Sequence, residues 1–143
     1  MAAGLPTEGT NAERPRAADV ARKDVVTARL DERLGEVSER AAAVGLEAAV
    51  VVNQEGVVLG LLRKKELAGS PEQPIERAMR PGPSTFRPYV AIAEMASTMV
   101  DHNLDSSPIT TSDGKLVGLL MKEDAVRVAH ELHVSHELKD KVS

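Results

Sequence analysis

A chain of 143 residues, 42% of them apolar, suits one compact domain or one pair of small repeats, and the absence of cysteine excludes disulfides and thiolate chemistry. A net charge of −4 supplies no basic stripe for a nucleic-acid backbone, and two aromatics, Phe86 and Tyr89, are too few to stack bases. No apolar run nears the roughly 20 residues that span a bilayer and the N-terminus lacks a signal peptide's apolar stretch, so neither membrane nor nucleic acid is expected and the cytoplasmic compartment is the default.

In chain order, residues 1–15 are small and polar and are expected to be a disordered tail. Val25-Val26-Thr27 reads as a short strand. Asp31 is a candidate N-cap for a helix reaching about residue 44, with Leu34, Val37, Ala41 and Val44 as its apolar stripe. Residues 48–52 and 57–62 are continuous apolar runs, which suits strands covered on both faces. The turn Asn53-Gln54-Glu55-Gly56 joins them, with Gly56 free to take positive φ. A short helix is expected over residues 63–67. Ser70-Pro71-Glu72-Gln73 has the pattern of a capped helix start, with proline at the first helical position.

The same order then recurs. Ser84-Thr85-Phe86 reads as a short strand, and residues 90–102 as a helix turning Ile92, Met95, Ala96, Met99 and Val100 inward. Residues 107–110 and 116–121 read as strands joined by Thr111-Ser112-Asp113-Gly114, followed by a helix over residues 122–132. Met79, Met95, Met99 and Met121 are expected to fill the core in place of aromatics.

Sliding the chain by 58 residues brings its halves into register without a gap. Arg22 falls on Arg80, Thr27 on Thr85, Arg29 on Arg87, Glu36 on Glu94 and Leu46 on Leu104. Gly56 falls on Gly114, Gly60-Leu61-Leu62 on Gly118-Leu119-Leu120, and Lys64 on Lys122. The duplication predicts an α+β fold of two tandem β-α-β-β-α repeats. Neither can cover both faces of its sheet alone, so the two pack as a pseudo-twofold pair with clefts between them.

The duplicated order, the Gly-apolar-apolar triplet in each last strand, Ala78-Met79-Arg80-Pro81, Ser107-Pro108-Ile109 and Asp113-Gly114 together resemble the CBS domain pair, or Bateman module. The resemblance implies a stand-alone pair, with one domain over residues 16–70, another over 74–130, and a helical tail over 131–143. It also implies a cleft ligand such as AMP, ATP or S-adenosylmethionine. In the family a Ser or Thr follows the last strand beside the phosphate, and an Asp three residues later accepts the ribose hydroxyls. Here Asp124 stands at the ribose position of the second copy and Met121 at the hydroxyl position. In the first copy Glu66 and Arg63 occupy those places. Lys122 and Lys64 flank them, and Ser107, Pro108, Thr85 and Thr27 complete the set that the resemblance implies.

His130, His133 and His136 recur every three residues and spread over about 120° of a helix. Their place near the C-terminus favours solvated side chains over a metal site, so no metal is expected. With no Gly-rich phosphate loop, nucleophile elbow or His-Glu-x-x-His pair, the chain carries no catalytic constellation. Two readings follow. One is a regulatory, non-enzymatic module sensing an adenine nucleotide. The other is a homodimerising scaffold that has lost the nucleotide and acts through a regulated protein that the sequence does not name.

Overall fold

The computed structural model describes residues 15–142, and their side chains as far as His133. The elements run α1 (Ala17–Val20), β1 (Thr27–Ala28), α2 (Leu34–Ala43), β2 (Ala48–Val52), β3 (Val58–Arg63), α3 (Lys64–Leu67), α4 (Ile75–Ala78), β4 (Arg80–Pro81), α5 (Ile92–Asp101), β5 (Ser106–Thr110), β6 (Leu116–Met121) and α6 (Lys122–Val142). The fold is α+β. One sheet has the order β1-β2-β3-β4, with β1 parallel to β2 and the rest antiparallel. The other is the β5-β6 hairpin. Gly56 and Gly114 hold positive φ in the two hairpin turns, as the sequence predicts.

Alternation along each strand sorts the core into three parts. Ala49 and Val51 of β2 face Leu34, Val37, Ala41 and Ile75. Ile109 of β5 faces Ile92, Met95, Met99 and Ala125. Between the sheets, Ala48, Val50, Val52 and Leu61 meet Leu119, and the hairpins join through backbone bonds from Val58 N–H to Gly114 and Leu116 N–H to Gly56, each 3.0 Å.

The repeats also exchange their lead-in segments. Helix α1 opens the first copy but buries Ala17 in the core of the second, and Arg22 pairs with Leu119 of β6 through reciprocal 2.9 Å bonds. Helix α4 and strand β4 open the second copy, yet Ile75 lies in the first core and Gly60 and Leu61 pair with Pro81 and Arg80. The repeated glycines make this approach possible. A Cβ on Gly118 would lie 2.8 Å from the Arg22 carbonyl oxygen, and one on Gly60 would strike the Met79 sulfur.

Several local expectations are corrected, each for a tertiary reason. Asp31 does not cap α2. The N-cap is Arg33, and the first-turn amides of Leu34 and Gly35 bond instead to the carbonyls of Gln73 (2.9 Å) and Pro71 (3.0 Å). Ser70-Pro71-Glu72-Gln73 is therefore a turn that caps another helix, and α4 starts after Pro74. The first strand lies at Thr27–Ala28 and not at 25–27. No strand forms at 84–86, where Phe86 makes a single parallel bridge to Ile109. In the first copy Val50 donates to Val26 (2.9 Å); its counterpart Pro108 has no N–H to give. Val44 and Val100 point outward, 51% and 57% exposed. Val44 lies beyond the end of α2, and Val100 lies about 80° round α5 from Ile92, past the edge of the buried stripe. Met95 and Met99 fill the core, and Met79 and Met121 pack at its margins.

Helix α6 runs from Lys122 to Val142, so the helix expected over residues 122–132 and the helical tail expected over 131–143 are one element. His130 and His133 are exposed on it, and the side chain of His136 falls outside the described residues. Among the described residues no three His, Cys, Asp or Glu side chains are placed to hold a metal, and no helix is long and apolar enough to cross a membrane.

Candidate functional site

Strand β3 ends at Arg63 and β6 at Met121, while β2 and β5 begin at Ala48 and Ser106. These four strand ends meet where the copies face each other. Arg63, Lys64, Met121 and Lys122, all singled out from the sequence, line one cavity of about 270 Å³ there. Two further concavities open beside it. One, about 180 Å³, lies between Arg63 and Arg80 on one side and Asn103 to Ser106 on the other. The other, about 690 Å³, is lined by Arg63, Lys64, Lys65, Ala68, Arg80 and Asp105. Arg63 borders all three.

Charge in this cleft is unevenly spent. Lys64 lies 3.5 Å from Glu47 and Lys122 lies 3.4 Å from Asp105. These pairs are mostly exposed, so each contributes little. Among the described residues, Lys65 and Arg80 have no ion-pair partner.

The two carboxylates at the ribose positions are both engaged. Glu66 accepts from Arg63 three times, from the backbone N–H (2.8 Å), Nε (3.0 Å) and Nη2 (2.9 Å). Those Arg63 hydrogen bonds outweigh burial and hold the Glu66 carboxyl at about 2. Asp124, 9% exposed, accepts from Arg22 Nε (2.9 Å) and Arg127 Nη2 (3.2 Å). Burial works to raise its carboxyl, and the two arginines overcome that and hold it below the ordinary carboxylate range. Neither carboxylate lines the three cavities.

The remaining sequence candidates stand apart from the cavities. Ser107 shares the Ile109 face of β5, toward α5 and α6, and its buried hydroxyl has no hydrogen-bond partner among the described residues. Pro108 is buried in the same strand. Thr85 accepts a 2.9 Å bond from Arg87 Nη2, and the Thr27 carbonyl a 2.8 Å bond from Arg40 Nη2.

This duplicated β-α-β-β-α architecture has a family match: the chain fits the CBS domain over residues 17–72 and again over 75–131. The chain belongs to the CBS domain family. Among curated relatives of this CBS pair, the uncharacterized protein MK0525 of Methanopyrus kandleri is 26% identical over 118 residues, 77% of this chain; the match spans 60% of that protein's length. Solved structures share the fold at lower identity. CBSX2 in complex with AMP superimposes with a TM-score of 0.75 at 15% identity, covering 84% of this chain and 99% of that one. The CBS domain pair of MJ0100, in complex with 5′-methylthioadenosine and S-adenosyl-L-methionine, gives 0.72 at 19%, covering 80% and 94%.

Among the cavity-lining residues that sequence reasoning missed are Arg80, Asp105 and Ser106. The repeat register held a signal for Arg80, because Arg22 coincides with it. Strand alternation held one for Ser106, the neighbour of Ser107 on the opposite face of β5.

Proposed function

We propose that this CBS pair is a regulatory module that takes an adenine nucleotide in the inter-repeat cleft and engages it chiefly through phosphate. The observation that carries the reading is the 690 Å³ concavity, lined by four cations and the single carboxylate of Asp105. Lys65 and Arg80 keep their full donor sets. Arg63, bound to Glu66 through Nε and Nη2, retains both Nη1 hydrogens for an anion. Similar folds have been solved with AMP and S-adenosylmethionine, and the excess of cations puts AMP or ATP ahead of the sulfonium ligand. The carboxylates support a sensing role over a catalytic one. Glu66 at about 2 and a lowered Asp124 are far from the neutral range that serves proton transfer. A signal then requires a ligand that binds one packing of the repeats better than another.

Thermal melts with AMP, ADP, ATP and adenosine test this. A phosphorylated ligand at 100 times its Kd should add about 2.7 kcal/mol of stability, adenosine should add little, and Arg80→Ala should abolish the shift. No shift with any nucleotide overturns the proposal.

One observation favours the second reading, a homodimerising scaffold. Val44, Val100 and Tyr89 stand 51–65% exposed on a surface otherwise rich in charge. A concentration-dependent dimer in sedimentation experiments, together with silent nucleotide melts, would carry that reading.

A further inference from the structure

We infer that Asp105 reads the ribose of the bound nucleotide, so that the chain separates ribonucleotides from deoxyribonucleotides; the assignment rests on the nucleotide reading above. Two adjoining concavities divide the ligand between them. The 690 Å³ one, with its four cations, suits the phosphate. The 180 Å³ one, where Leu61, Pro83 and Leu104 stand among polar groups, suits the base. A nucleotide's sugar joins those two parts, so it belongs where the concavities meet. Three residues line both: Arg63, Arg80 and Asp105. The arginines can only donate, and a sugar hydroxyl that gives its hydrogen needs an acceptor. Asp105 is the one carboxylate at that junction.

The Asp105 side chain is also available. Its backbone carbonyl accepts from the Lys122 N–H at 2.8 Å, which holds the residue against the start of α6. The side chain is 78% exposed, and its ion pair runs from Oδ1 to Lys122 Nζ at 3.4 Å, a surface contact that contributes little. Oδ2 carries no bond among the described residues. The other acids are less well placed. Glu66 and Asp124 accept on both oxygens and line none of the cavities. Glu47 and Glu123 border only the 270 Å³ cavity.

Isothermal titration of the full chain with AMP, 2′-deoxy-AMP and IMP tests this in wild type, Asp105→Ala and Asp105→Asn. Wild type should bind AMP about tenfold more tightly than 2′-deoxy-AMP, as expected for one hydrogen bond to a charged acceptor. In Asp105→Ala the two affinities should agree within about twofold, and Asp105→Asn, which keeps an uncharged acceptor, should fall between. Removing the negative charge eases phosphate binding for both sugars alike, so the ratio and not the affinity is the readout. Equal affinities in wild type, or a ratio that survives in Asp105→Ala, overturn the assignment and leave the nucleotide reading standing. A preference for AMP over IMP that Asp105→Ala removes, with no preference between the sugars, would put the base amine on Asp105 and overturns it too. Silence with all three nucleotides in wild type overturns the nucleotide reading, and the assignment with it.

Discussion

Where the first repeat carries Val50, with an amide to give Val26, the second carries Pro108 and loses the strand beside it. Where the first carries Arg63 bonded to Glu66 three residues on, the second carries Met121, and its Asp124 is tied across 102 residues to Arg22. The backbone plan is the same in both. What differs is whether the carboxylate is satisfied within its own helical turn or by a tie across the repeats. Duplication supplies two equivalent scaffolds, and a few substitutions are enough to make them unequal.

The largest expected contrast is in packing. Gly118→Ala places its Cβ against backbone, 2.8 Å from the Arg22 carbonyl and 3.2 Å from the Ala21 Cβ. It should cost about 1–3 kcal/mol in chemical denaturation. Gly60→Ala meets the Met79 sulfur and Cγ first and then the Arg80 carbonyl oxygen at 3.1 Å; once Met79 rotates aside, the backbone approach is looser than at Gly118, so the loss should be the smaller of the two, about 1 kcal/mol. Equal losses would mean that the exchanged segments are held alike.

A second contrast is in acid. The folded Glu66 carboxyl sits at about 2, below its ordinary 4.5. The stability it contributes is therefore complete above about pH 4.5 and disappears as pH falls toward 2. Melting curves of wild type and Glu66→Gln should differ above that window and converge within it. Asp124→Asn should behave in the same direction, since its carboxyl is also lowered. Parallel curves down to pH 2 would show that neither pair contributes.

The smallest effect belongs to the surface. Val44→Ser and Val100→Ser should each change monomer stability by no more than about 0.5 kcal/mol. A larger loss that grows with protein concentration would place these residues in an interface between copies.

Much of the fold was legible because the 58-residue register made each half a check on the other: hairpins, glycine turns and the two ten-residue helices, α2 and α5, lie where the periodicity puts them. What was not legible depended on partners distant in sequence. The cap of α2 comes from Pro71 and Gln73, so no local pattern around Asp31 could reveal it. Cleft cations such as Arg63 and Lys64 could be named from the chain. That Asp124 and Glu66 would be taken by Arg22 and Arg63 depended on rotamers and on the exchange of lead-in segments, which one-dimensional spacing does not encode.

That exchange bears on the order of assembly. The core of the first repeat is complete only after Ile75 and Met79 have been synthesised, and Ala17 and Arg22 must wait for Leu119 and Asp124. Contacts at such separation close slowly. During translation the N-terminal segment should therefore remain undocked until almost the whole chain has emerged. Either half expressed alone would lack a piece of its own interior, and mixing the two halves should restore what neither can build.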